Sequence, residues 1–524
     1  LEIQQRIADA IGARDASIFD AHLLVVEDRT LIDEVLRGLE KDRLNVEYIF
    51  HKTAERYCKT LSEIDDPYLR ERVVDIEDVA RRVIRHLLGK APRDLATEDK
   101  PHIIVSHNLT PSDTASINRS LVLGFATEQG SKTSHTAIMA RSMDIPAIVG
   151  LHDICSELTS GDDVLLDGYS GVLILNPSPE TLAEYGSLEK QKEKVEERLE
   201  LIRETSSTTS DGRHIILSAN IELPGELDDV RESGAEGVGL YRTEFLYLNR
   251  TQPPDEEEQY ENYRLVAERS KPHSVIIRTL DIGGDKPSES LNLPEEQNPF
   301  LGCRAIRYCL QNPDIFKTQL RAILRAAAVG NVRLMYPMIS SLQELRSANA
   351  LLEECKEELR QRGTEFGDSL EVGVMIEVPS AALAADHLAR EVRFFSIGTN
   401  DLIQYTLAVD RGNDRIAHLY EPTHPAVVRL IKNVVDAAHR NNIWVGVCGE
   451  MAGDIALTPL LLGLGVDELS ASSTVVPRVK KAVQSLSIPT CQSLAEEALG
   501  LDNSLAILHR CLDVASSHYG ELID

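Results

Sequence analysis

Along residues 1–88 apolar side chains recur three and four positions apart, with only Gly12, Gly38 and Pro67 to interrupt them. That period predicts helices throughout, and Val73, Ile76, Val83 and Leu87 form one of the stripes. After Pro92 the pattern changes. Short β-branched runs at 102–105, 122–125, 147–149, 164–166 and 172–175 are separated by Gly-containing turns. They predict a small α/β domain ending near Asn176 and Pro177, with one helix over about 134–142. Over 188–204 the chain is highly charged, and Leu188, Val195, Leu199 and Ile202 leave a single narrow stripe. A solvated connector helix is expected, of the kind that joins domains able to move relative to each other. Beyond Asp211 strands and helices alternate. Eight strands are expected at 214–220, 237–242, 275–279, 332–337, 372–377, 394–398, 444–448 and 468–472, with helical patterns such as 315–328 and 341–359 between them. Eight β/α units predict a (β/α)₈ TIM-type barrel, and the chain as a whole reads as a multidomain α/β protein.

The tips of those strands carry the chemistry. Their C-terminal ends place Asn220, Arg242, Arg278, Glu377, Asn400 with Asp401, and Cys448 along one rim, the face on which barrel active sites are built. Arg411 falls on the same rim, and Arg304 in the 302–304 loop can join it. Guanidinium forks fit phosphate and carboxylate, but a cluster of them repels itself unless a highly charged anion sits between. Glu377 and Asp401 end neighbouring strands, which suits a hard divalent cation, Mg²⁺, with water and substrate oxygens completing its shell. Cys448 lies between Gly446 and Gly449, glycines that allow close approach of a ligand. Its place among cations favours a reactive thiol over inert packing. His135 follows Gly130-Ser131-Lys132-Thr133-Ser134 at the start of an amphipathic run. With Thr133 or Ser134 as N-cap, the imidazole sits at the positive end of a helix, where a phosphoryl group is stabilised.

Composition narrows the reading further. The chain has 84 acidic and 55 basic residues, a net charge of −29. No nucleic-acid partner is expected, and an anionic substrate needs local arginines to hold it against the overall field. The eight cysteines contain no CxxC pair, so a reduced, cytoplasmic protein is expected. The longest uncharged apolar stretch, 455–466, is too short to span a bilayer, and no membrane insertion is expected. No signal peptide is read, and because the first residue is Leu1 rather than Met, a native N-terminal segment is expected to precede it.

Six long motifs occur in order: TSHTAIMARSMDIPAIVG at 133–150, GVGLYRTEFL at 237–246, RTLDIGGDK at 278–286, NPFLGCRAIR at 298–307, FFSIGTNDLIQYTLAVDRGND at 394–414 and VGVCGEMAGD at 445–454. Together they resemble the Enzyme I family of the bacterial phosphoenolpyruvate-dependent sugar phosphotransferase system. The resemblance implies four parts. A helical module that binds the carrier protein HPr covers 1–90, and a swivelling α/β phosphohistidine domain covers 91–177. A helical linker follows over 178–210, and a phosphoenolpyruvate-binding barrel that forms a homodimer over 211–524. It makes His135 the phosphorylated nucleophile and Cys448 the proton donor. Arg242, Arg278, Asn400, Asp401 and Arg411 would hold phosphoenolpyruvate with help from Arg304, while Glu377 and Asp401 bind Mg²⁺. Thr114 matches a position that hydrogen-bonds the active histidine.

Two departures stand out. Ser131-Lys132 replaces the usual Gly-Arg, keeping a charge but losing the bidentate fork. The opening strand of the phosphohistidine domain is also absent. Three other readings remain: a nitrogen-regulatory paralogue, a non-catalytic relative of the same fold, and a pyruvate–phosphate dikinase or phosphoenolpyruvate synthase. The last resemblance would imply an ATP-grasp domain ahead of the histidine and Ala in place of Thr136, whereas only 134 residues precede His135.

Overall fold

The computed structural model describes residues 29–42, 44–62, 76, 79–89, 100–109, 121–129, 140, 145–248, 250, 252–283, 291, 296–411, 413 and 415–523. The chain divides into two compact units, Leu1–Glu189 and Lys190–Asp524.

In the first unit, helices Arg29–Asp42 and Val46–Ser62 bury Leu31, Val35, Ile49 and Ala54. Residues 79–87 are helical as expected. Along the expected stripe's face Val79 and Ala80 are buried, Ile76 and Val83 half-buried, and Leu87 exposed. At 3.6 residues per turn, positions 79 and 80 share a face with 76 and 83, and Leu87 lies at the helix end beyond it. Val73 lies outside the described residues. Strands β1 (His102–Ser106), β2 (Val122–Thr127) and β3 (Ala147–Val149) form a parallel sheet in that order. β4 (Val164–Asp167) and β5 (Val172–Leu175) form an antiparallel hairpin. The Asp167 carboxylate turns this hairpin by accepting from the backbone N–H groups of Tyr169 (3.0 Å) and Ser170 (3.2 Å). Gly171 completes it at φ +70°, a conformation glycine adopts without strain. The helix expected over 134–142 lies outside the described residues except for Ala140, which is helical.

In the second unit, eight strands close into a parallel barrel: β6 (Ile216–Ile221), β7 (Gly237–Arg242), β8 (Ser274–Arg278), β9 (Val332–Tyr336), β10 (Glu371–Ile376), β11 (Phe394–Ile397), β12 (Trp444–Val447) and β13 (Glu468–Ala471), with β13 pairing back onto β6. Each expected strand is present. β6 begins later than the pattern suggests because His214 instead pairs with Thr208 in an antiparallel bridge. The strands read as nearly continuous apolar runs because both faces are covered. Leu240, Ile276, Met335, Met375 and Phe394 fill the interior. Val238, Tyr241, Val275 and Ile277 join the larger core outside it. Phe394 finds room inside because its register partner on β10 is Gly373, where a Cβ would come within 2.4 Å of the ring. On its other side it stacks on Trp444 at 4.7 Å between ring centroids.

The helices start and stop where local chemistry allows. Helix Leu342–Arg362 opens on a reciprocal pair, the Ser341 hydroxyl accepting from Glu344 N–H while the Glu344 carboxylate accepts from Ser341 N–H. It ends at Gly363 with φ +65°. The helix expected as a solvated connector over 188–204 runs instead from Pro179 to Ile202. Its later part is not solvated all round. Leu199 is buried in the core of the second unit, Val195 and Ile202 pack against that core, and Glu196 pairs with Arg478 at 3.1 Å.

Close helix packing generates a stability test. Gly463, in helix Thr458–Leu464, carries no Cβ because one there would come within 1.9 Å of the Cys491 carbonyl oxygen and 2.9 Å of Ala495 Cβ. Gly463→Ala should cost the barrel about 1–3 kcal/mol through overpacking. Gly500→Ala, where nothing lies within 4 Å of the added atom, should stay within about 0.5 kcal/mol of the parent. Thermal or urea unfolding of the two variants side by side checks the difference.

Candidate active site

The C-terminal ends of the barrel strands bring together most of the residues singled out from the sequence. Arg242 and Arg278 are the last residues of β7 and β8, while Glu377 and Cys448 directly follow β10 and β12. Asn400 and Asp401 occupy the first turn of helix Thr399–Leu407, which follows β11. His135, Thr114, Ser131 and Lys132 lie outside the described residues.

Arg278 and Arg304 are sunk into the barrel mouth, with side chains 6% and 3% exposed. Arg278 donates to Glu244 at 2.6 Å and pairs with Asp281 at 3.0 Å. Arg304 pairs with the other oxygen of Asp281 at 2.9 Å and with Asp401 at 3.2 Å. It also donates to the Tyr405 hydroxyl, which donates in turn to the Phe300 carbonyl. Burial opposes charge on both arginines, yet the surrounding carboxylates, Glu244 and Asp281 foremost for Arg278 and Asp281 and Asp401 for Arg304, hold them firmly protonated. Arg242 is shallower and pairs with Glu222 at 3.2 Å. The expectation that these guanidinium groups need a bound anion to offset their repulsion is therefore corrected. The protein's own carboxylates already compensate them. Glu244 and Asp281 escaped the sequence reading although each lies in a quoted motif, RTEFL and RTLD. The available signal was an acid two or three residues after a strand-end arginine.

Glu377 is buried and accepts from the Met338 backbone N–H at 2.6 Å. Burial, then the negative charges of Asp401 and Asp281, push its carboxyl up to about 8. A carboxyl group whose ionisation is made costly in this way, beside a second carboxylate, forms a site that a divalent cation relieves. Among the described residues no group of three His, Cys, Asp or Glu side chains could hold a metal. Glu377 and Asp401 would thus supply two ligands, and the remaining positions suit substrate oxygens and water.

Cys448 is 2% exposed, with Sγ 3.7 Å from the Ile397 carbonyl oxygen. Burial pushes its thiol up to about 11, against the opposing pull of a Ser396 hydrogen bond and the charges of Arg278 and Arg242. Of the two opposing influences, burial outweighs the nearby cations, and the group is held as a neutral S–H. The neighbouring glycines differ from expectation. A Cβ on Gly449 would come within 2.0 Å of Thr399 Oγ1, and one on Gly446 within 2.9 Å of Glu468. They permit close packing of the protein on itself. Asn220 holds the loop, donating to the Cys448 and Ser470 carbonyls at 3.2 and 3.3 Å while accepting from Ser470 Oγ at 2.7 Å. Asn400 and Glu450 exchange two hydrogen bonds across the same loop, at 3.0 and 2.8 Å. Arg411 donates its backbone N–H to Gln404 at 3.1 Å.

A cavity of about 570 Å³ opens at this face, lined by Asn220, Arg242, Tyr420, Cys448 and Glu450 among others. Arg278, Arg304, Glu377 and Asp401 are not part of its wall. Its wall carries one arginine, Arg242, paired with Glu222, together with Glu226, Glu450, Asp454 and a buried thiol, and it lies next to a buried network of paired charges. Arg242 can meet a small anion there, and the Cys448 thiol can give up a proton.

Residues 196–488 match the family model described as PEP-utilising enzyme, PEP-binding domain. Residues 98–171 match that of the PEP-utilising enzyme, mobile domain, and 1–72 that of the PEP-utilising enzyme, N-terminal. The chain is 47% identical over 498 residues to the phosphoenolpyruvate-protein phosphotransferase of Staphylococcus carnosus (strain TM300), covering 95% of this chain and 87% of that protein. It is 47% identical over 499 residues to the protein of the same name from Geobacillus stearothermophilus, covering 95% and 86%. The counterpart from Listeria monocytogenes serovar 1/2a (strain ATCC BAA-679 / EGD-e) is 46% identical over 497 residues, covering 95% and 87%.

The raised Glu377 carboxyl sets a pH dependence. An unfolded glutamate titrates near about 4.3, whereas here the folded group titrates at about 8. Between those values the folded protein keeps a proton that the unfolded chain has lost. This contribution to stability is complete below the lower value and is lost as pH rises through the upper one. In metal-free protein, kept so with EDTA, the melting temperature of Glu377→Gln should therefore fall less steeply than the parent's as pH is raised across that window. Parallel curves would assign the slope to other groups.

Proposed function

The chain belongs to the phosphoenolpyruvate-utilising enzymes, and we propose that it is a phosphoenolpyruvate–protein phosphotransferase. It takes the phosphoryl group of phosphoenolpyruvate onto His135, passes it to the carrier protein HPr, and releases pyruvate as the first step of phosphorylating sugar uptake. The observation that carries this reading is the match along 95% of the chain to relatives that bear that name, and the strand-end chemistry is consistent with it. In this reading residues 1–90 bind HPr, 91–177 form the phosphohistidine domain, 178–210 link it to the barrel, and 211–524 bind phosphoenolpyruvate and dimerise. The protein would work in the cytoplasm as a homodimer.

The chemistry follows from the residues at the barrel mouth. Arg242, Arg278 and Arg411, assisted by Arg304, bind the phosphate and carboxylate of phosphoenolpyruvate, and Asn400 and Asp401 orient it. Because Arg278 and Arg304 already hold carboxylate partners, they are preorganised, and their contribution to an incoming anion requires no search for a rotamer. Glu377 and Asp401 would hold Mg²⁺, whose charge stabilises the phosphoryl oxygens and the enolate left behind. The P–O bond to the enolate breaks as an N–P bond forms on His135. The enolate then takes a proton from Cys448 Sγ at its methylene carbon to give pyruvate, and the thiolate regains a proton from solvent. A thiol held neutral by burial suits that role, since it keeps its proton until a carbanion-like base is formed next to it.

Two measurements test this. Phosphoenolpyruvate should label the parent protein without any nucleotide, the acid-labile adduct mapping by mass spectrometry to His135 and passing to added HPr. Label surviving in His135→Ala, or a requirement for ATP, would sink the reading. Cys448→Ala and Cys448→Ser should both still bind phosphoenolpyruvate but lose about 10²–10⁴-fold of pyruvate formation, the usual worth of a general acid. Since a hydroxyl is a far weaker acid than a thiol, a serine variant turning over at the parental rate would remove Cys448 from the mechanism.

A further inference from the structure

We infer that the barrel carries a second ligand site at its opposite, N-terminal end, a cavity of about 510 Å³ built to hold a phosphate group. β7 ends at Arg242 in the active site, but it begins at Gly237 on the wall of this second cavity, beside the 270–273 loop that leads into β8. The lining holds five arginine and lysine residues, Arg203, Arg231, Arg269, Lys271 and Lys480, and His273, against two acids, Glu204 and Glu236. In a chain of net charge −29, such a local excess of cations is the feature that an anion site requires.

The cations are also under-compensated. Arg269 pairs with Asp228 at 2.6 Å and Arg203 with Glu200 at 3.8 Å. Arg231 donates only to the Arg269 carbonyl, at 3.4 Å. Among the described residues, no carboxylate lies within salt-bridge distance of Arg231, Lys271 or Lys480. Lys480 is 1% exposed, and its ammonium donates to the Arg203 and Gly234 carbonyls, the latter at 2.8 Å. Two carbonyls satisfy two of its three donors. Burial pulls its pKa down, with the charge of Glu236 opposing. A buried ammonium with no carboxylate in contact is unfavourable, and a dianion in the cavity would provide both the counter-charge and the third acceptor.

Other polar groups lie around the cavity. Arg203 Nε and Ser270 Oγ are buried without a hydrogen-bond partner. Glu236 gives one oxygen to His214 at 2.8 Å, and its other oxygen is buried and unpartnered. These unpartnered atoms lie on residues of the cavity wall. Free phosphate and a small phosphate monoester can both supply the dianion.

The test is local to the cavity. Lys271 lies exposed on its rim, so its acetylation by a small reagent can be followed by peptide mass spectrometry on the whole chain. Inorganic phosphate should slow that reaction in a saturable way, and chloride at equal ionic strength should not. Arg231→Glu, an exposed change, should weaken the protection by about tenfold or more, the effect of replacing one attractive contact by a repulsive one. Lys480→Met should weaken it further where that variant folds. sn-Glycerol 3-phosphate protecting at lower concentration than phosphate would identify a monoester as the ligand, and equal protection would identify free phosphate. Protection that is absent, is matched by chloride, or falls by less than that factor in Arg231→Glu overturns the proposal.

Discussion

Arg278 and Arg304 are charges taken out of water at the mouth of a barrel, and a buried ion costs several kcal/mol unless good geometry repays it. Here Glu244, Asp281 and Asp401 repay it through contacts between 2.6 and 3.2 Å. The pairing has consequences outward. Asp281 bridges both guanidinium groups, so the end of β8 and the loop carrying Arg304 are held in one geometry. Asp401 is tied to the same network, which places the helix after β11. Glu377 lies among these carboxylates, and burial and their charge raise its pKa well above the usual carboxylate range. A site so arranged is short of positive charge at one spot and fully paired elsewhere.

The same scarcity of water explains the thiol. Cys448 stands within reach of the fields of Arg278 and Arg242, yet its pKa rises to about 11 because removing the thiolate from solvent outweighs both. A nucleophilic cysteine needs the opposite balance. The structure thus favours a group that gives up a proton over one that attacks. The surrounding loop owes its shape to glycines at 446 and 449, which allow Glu468 and Thr399 to approach it, and to Asn220, which reaches across the barrel from β6.

The two ends of the barrel answer different demands with similar residues. At the C-terminal end, cations are matched by acids on adjacent strands, and the cost of burial is met within the protein. At the N-terminal end Lys480 is buried against carbonyl dipoles alone. Neutral dipoles solvate a charge without cancelling it, and in that respect the two ends differ.

Much of this was legible in the chain. Apolar runs bounded by turns marked all eight barrel strands because strand periodicity and burial on both faces leave a local signature. Arg242, Arg278, Glu377, Asn400, Asp401 and Cys448 could be placed at the active face simply by following those strands to their ends. The sequence by itself determined the order of elements, the face that carries chemistry and the residue types available there. Tertiary structure alone decided which charges meet. Glu244 follows Arg242 by two residues but bonds to Arg278, and Lys480 is buried against Arg203 and Gly234, far away along the chain. Which way the Cys448 thiol titrates and which side of the connector helix is covered were decided there too. Coulomb energy and desolvation depend on distance and on exclusion of water, and both become defined only when the barrel has closed.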